Sequence, residues 1–84
     1  MTGADLKNLV DALDIRDSEL ARELGITQPA VHFAQKSRRL KRDTEARYMA
    51  AIGQIARRRA AERQKAATEA ILAELSERSV TAAE

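Results

Sequence analysis

The sequence predicts an all-α protein in which short helices precede one long C-terminal helix. Three observations predict it. Leu6, Leu9, Val10 and Leu13 recur at helical spacing, and Leu20, Ala21 and Leu24 repeat the three-and-four interval. The hydrophobic share, 44% of 84 residues, is built mainly from alanine and leucine with one Phe and one Tyr, which suits thin helical packing rather than sheets. From Thr44 to about Arg78 the chain has no proline and is filled with Ala, Arg, Glu, Gln and Lys, all good helix formers.

Thr2 and Asp5 have the spacing of a capping box, which places the first helix from Gly3 to about Asp14. Asp14 to Asp17 is a short polar connection interrupted by Ile15, and a second, short helix then runs until Gly25 ends it. Thr27 is a good N-cap and Pro29 falls in the first turn, where its missing N–H costs nothing, so the third helix is placed from Gln28 to about Ser37. At 100° per residue, Ala30, Val31 and Ala34 share one side of it, while Gln28, Pro29, His32, Phe33 and Lys36 share the other. Asp43 or Thr44 is the expected cap of the fourth helix. Gly53 is a weak point within it, since glycine costs about 1 kcal/mol relative to alanine. Tyr48, Ile52 and Ile55 are spaced to cover a core made by Leu20, Leu24, Ile26, Val31, Ala34 and the first helix. Residues 1–55 are therefore expected as one domain and 56–84 as an appended helix, with a frayed tail from Ser79.

The net charge is +2, yet residues 1–34 sum to −3, residues 35–65 to +8 and residues 66–84 to −3. A basic middle between acidic flanks reads either as a footprint for a polyanion or as a solvated helix face. Cysteine is absent and His32 stands alone, which excludes disulfides and zinc fingers. No glycine-rich phosphate loop, paired carboxylate site or Ser/His/Asp arrangement can be assembled, so neither catalysis nor a cofactor is expected. No apolar run approaches the roughly 20 residues of a membrane span, and the start lacks a signal-peptide pattern. A soluble cytoplasmic protein is expected.

The segment Asp17 to Ala34, centred on Ser-Glu-Leu-Ala-Arg-Glu-Leu-Gly-Ile-Thr-Gln-Pro-Ala-Val, resembles the helix-turn-helix of the Cro and phage-repressor-like (XRE) family. Ala21, Gly25, Ile26, Thr27 and Val31 stand where that family has a small residue, a turn glycine, an apolar residue, a cap and a branched core residue. The resemblance covers residues 3 to 53 and implies a lambda-repressor-like core whose third helix enters the major groove of double-stranded DNA. Two positions depart from the pattern. Asp17 replaces a phosphate-binding glutamine, and Ala34 replaces a larger apolar residue, so Phe33 or Tyr48 is expected to fill the core there.

On that reading Gln28, Pro29, His32 and Phe33 face the bases. The Gln28 amide offers the donor and acceptor that match adenine N6 and N7. His32 serves a base edge or a phosphate, or is a plain exposed histidine. Phe33 meets a thymine methyl or another protein surface, or packs inward. Arg16, Thr27, Lys36, Arg38 and Arg39 are read as phosphate contacts, which fix register without reading sequence. Arg57, Arg58, Arg59 and Lys65 either extend those contacts or form a solvated face. Ala60, Ala67, Ile71 and Leu75 make a second apolar stripe, an imperfect heptad with Arg59, Glu62 and Arg63 near its seam, and are the expected homodimer interface. The function expected is a dimeric, sequence-specific repressor or autorepressor of phage or mobile-element type on an inverted-repeat operator. The alternatives are an antitoxin whose C-terminal helix grips a toxin, and a DNA-packaging or structural adaptor.

Overall fold

The computed structural model of the chain describes the backbone of residues 1–83 and the side chains of residues 1–77. Four helices follow one another: α1 (Gly3–Ala12), α2 (Asp17–Leu24), α3 (Gln28–Gln35) and α4 (Arg42–Ala83), with no strand among the described residues. Local chemistry fixes the starts. The Thr2 hydroxyl accepts from the Asp5 N–H at 3.0 Å and the Asp5 carboxylate accepts from the Thr2 N–H at 3.1 Å, the reciprocal capping box. Hydrogen bonding to that carboxyl, from the Thr2 backbone N–H foremost and then from the Thr2 side chain, holds it below its ordinary range. Gly25 closes α2 in the left-handed conformation at φ 69°, where a Cβ would be strained. Thr27 caps α3, its hydroxyl oxygen accepting from the Ala30 N–H at 3.4 Å, with Pro29 in the first turn.

Four boundaries differ from the sequence reading. α1 stops at Ala12, two residues early, because Asp14 turns the chain at φ 55°, a left-handed conformation that aspartate tolerates better than most residues. α3 ends at Gln35 rather than near Ser37. α4 starts at Arg42, so Asp43 and Thr44 lie inside its first turn and are not its cap; Asp43 and Glu45 there complement the positive end of the helix dipole. The same helix passes Gly53 without a break and continues beyond Arg78 to Ala83, whereas Glu84 lies outside the described residues. Ile52 and Ile55 on either side of Gly53 are buried, and their packing outweighs the glycine's cost of about 1 kcal/mol.

The core is one cluster: Leu6, Val10, Ile15, Leu20, Ala21, Val31, Ala34, Leu40, Tyr48, Ala51, Ile52 and Ile55. α2 lies at its centre, packed on both α3 and α4, while α1 closes over α3. Tyr48 fills the core as expected, and burial raises its phenol pKa against a smaller opposing effect of Arg47. Phe33 does not; it is 76% exposed. Ala30 is also exposed rather than inward, because it sits at the margin of the buried arc whose middle is Val31, Ala34 and Gln35. Beyond Ile55 no described side chain is buried, so α4 leaves the core as an arm, and the molecule measures 67 × 20 × 18 Å. No helix among the described residues is long and apolar enough to cross a membrane.

Candidate nucleic-acid interface

Gln28, Pro29, His32 and Phe33 lie exposed on the outer side of α3, opposite the buried Val31 and Ala34, and the exposed Lys36 follows at its C-cap. The helix that carries them is held from three directions. From behind, Ala21 of α2 is 4% exposed, and the N–H of Ile26 donates to its carbonyl at 3.0 Å, which locks the turn Gly25 to Thr27 onto α2. At the far end the Gln35 amide, itself buried, donates to the Asp17 carboxylate at 2.8 Å and ties the last turn of α3 to the first turn of α2. Asp17 therefore has a structural partner where the family pattern has a phosphate-binding glutamine. A charge-accepting hydrogen bond of this kind contributes about 1.5–3 kcal/mol.

From the third direction α1 presses on the C-terminal end of α3. A Cβ at Gly3 would come within 2.5 Å of the Ala34 carbonyl oxygen and 2.6 Å of the Gln35 backbone. Only glycine allows that approach. The Gly3 N–H donates to the Ser37 carbonyl at 2.8 Å, and the Leu40 N–H donates to the Met1 carbonyl at 2.9 Å. Residues 36–41 are thereby stitched to the start of the chain, and they present Lys36, Arg38, Arg39 and Lys41 as exposed cations directly after α3. Comparisons with protein-family models, curated proteins and solved structures find no match. The geometry and chemistry of the chain itself are what bear on its function.

Arg16 is exposed at the N-cap position of α2 and makes no capping hydrogen bond, so its guanidinium stands at the α1–α2 corner beside Ser18, Glu19, Arg22 and Arg59. Thr27 is exposed, and its hydroxyl proton is still able to donate while its oxygen caps α3. The basic run of α4 divides. Arg58 pairs with Glu23, and Arg59 pairs with Glu19 while donating to the Leu13 carbonyl at 2.8 Å, so these two side chains fasten α4 to α2 rather than forming a purely solvated face. Arg57 and Lys65 are exposed. The cleft where α4 crosses the turn, lined by Leu24, Ile26, Thr44, Arg47 and Tyr48, encloses 180 Å³, less than a drug-sized ligand needs. Ala60, Ala67, Ile71 and Leu75 are all exposed on the arm, with Leu72 beside them.

Sequence reasoning missed Gln35, Gly3 and the Arg58 and Arg59 pairs. Gln35 left a signal: projected at 100° per residue it falls on the inner arc of α3, and a polar side chain there needs a buried partner. The other two are contacts between elements remote in sequence.

Proposed function

We propose that the chain is a double-stranded-DNA-binding transcriptional regulator of the helix-turn-helix kind, with α3 as its recognition helix, and not an enzyme. One observation carries the reading: the side of α3 turned away from the core holds Gln28, His32 and Phe33, large or hydrogen-bonding side chains that the fold leaves exposed, next to the cations of residues 36–41. Phe33 at 76% exposure has no packing role in the monomer, and a groove-facing aromatic finds one against a thymine methyl. Gln28, at the first position of α3, reads adenine; Arg38, Arg39, Lys36, Thr27 and Arg16 hold phosphates. A homodimer sets two such helices on successive major grooves of an inverted repeat, about 34 Å apart. The lambda-repressor-like architecture and the regulation of phage or mobile-element genes in the cytoplasm belong to this proposal.

Selection of bound duplexes from a random pool, followed by salt titration on the selected site, tests it. Affinity is expected to fall with salt at about −0.9 in the log-log slope per neutralised phosphate. Gln28→Ala is expected to lose roughly 1–3 kcal/mol on the selected site and little elsewhere, and Arg38→Ala to weaken selected and random duplexes alike. No enrichment of any sequence, with affinity flat in salt, rejects the proposal. The exposed apolar residues of the arm also suit a protein partner such as a toxin, and co-purification with the product of a neighbouring gene is the result that favours that second reading.

A further inference from the structure

Beyond the core, α4 exposes Ile71, Leu72 and Leu75 at 57%, 59% and 52%. With Ala60 and Ala67, the stripe through Ile71 and Leu75 lies roughly 140° around the helix from the buried Tyr48, Ile52 and Ile55. The head thus leaves this face uncovered. The face is graded twice. In size, the stripe runs from the small Ala60 and Ala67 near the head to the large Ile71 and Leu75 farther out. In charge, residues 57–65 carry Arg57, Arg63 and Lys65, besides the α2-paired Arg58 and Arg59, against Glu62, whereas residues 66–77 carry Glu69, Glu74 and Glu77 and no base.

We propose that this face binds the same face of a second copy with the two arms antiparallel, the two-fold axis passing between Ala67 and Thr68. Reversal sets each Leu75 opposite the partner's Ala60, so large meets small there, and each Ile71 opposite the partner's Gln64. It also lays the acidic end of each arm along the basic end of the other. A parallel pair in register does the opposite on both counts, placing Arg57 to Lys65 against the same basic segment and Glu69 to Glu77 against the same acidic one. Arg63 and Glu74 project about 20° apart on one flank of the stripe, and residues of one flank meet their own kind across an antiparallel seam, so each Arg63 approaches the other copy's Glu74. At 1.5 Å per residue this register puts the two Ile55 residues about 37 Å apart along the arms. The inference rests on the dimeric part of the proposed function and not on DNA contact.

The chain has no cysteine, so single-cysteine variants of the full chain report on orientation. Ala60→Cys and Leu75→Cys, one of them carrying a mass tag, are mixed and oxidised gently without DNA. The mixed disulfide is expected to exceed either self-disulfide by about tenfold, the ratio set by 1.4 kcal/mol. Predominant self-disulfides would overturn the antiparallel arrangement. Charge reversal provides the second measurement, by sedimentation: Arg63→Glu and Glu74→Arg each weaken self-association, and mixing the two restores it, because only the mixed pair sets opposite charges together at both contacts. No restoration, or a wild-type chain that sediments as a monomer at about 100 μM, where a specific pair of micromolar affinity is formed, overturns the proposal. Because both experiments omit DNA, a failure of the wild-type chain to bind any duplex counts against the proposed function alone.

Discussion

The two halves of α4 obey different physics although they are one helix. From Tyr48 to Ile55 the helix is held by what it buries, and every fourth or third side chain belongs to the core. From Ala60 to Glu77 it buries nothing within the chain and rests on the intrinsic preference of Ala, Glu, Arg and Gln for the helical state. The join is marked by Arg58 and Arg59, whose pairs with Glu23 and Glu19 extend the packed part past Ile55 to Arg59. The contrast teaches that an identical secondary structure can be a load on the core or a product of it, and that only a substitution tells which.

The largest expected effect comes from the same substitution made on each side of the join. Ile55→Ala, at a site 2% exposed, is expected to destabilise the core by about 2–5 kcal/mol in urea unfolding. Ile71→Ala, 57% exposed, is expected to leave core unfolding of the dilute monomer unchanged within about 0.5 kcal/mol. Equal losses would break the comparison. Gly3→Ala comes next: with the Ala34 and Gln35 backbone in the way, overpacking is expected to cost about 1–3 kcal/mol and to weaken DNA binding as well, since the same contact positions residues 36–41. A stable variant with normal binding would show that α1 can withdraw freely from α3.

Smaller still is the fastening at the join. Arg59 and Glu19 are each about a third exposed, so Glu19→Gln is expected to cost no more than about 1 kcal/mol at low salt and less as salt screens the pair. A loss that persists undiminished in high salt would mean that the contact is not electrostatic. The smallest effect at neutral pH is that of Tyr48. Its phenol is raised above the ordinary value of 10.0 by burial, so its contribution is complete below that value and is lost as pH rises through the higher folded value. Tyr48→Phe is therefore expected to flatten the alkaline limb of a stability-against-pH curve, and an unchanged limb would assign alkaline unfolding to other groups.

What the sequence determined by itself is what neighbours along the chain decide. The Thr2–Asp5 capping box, the left-handed Gly25, the Thr27 cap before Pro29 and the exposure of Gln28, His32 and Lys36 all follow from spacing within a few residues, where one turn of helix sets the geometry. The tertiary structure decided whatever depends on residues far apart in sequence. Nothing near Gly3 announces the α3 backbone against it, nothing near Asp17 announces Gln35, and the partners of Arg58 and Arg59 lie 35 and 40 residues away. The same holds for the space beside Ala34: it is filled by Tyr48, Ile52 and Ile55 from α4, and Phe33 stays outside, on the side where periodicity places it. Periodicity fixes which residues share a face; only the packing of other elements fixes which of the marginal ones are covered.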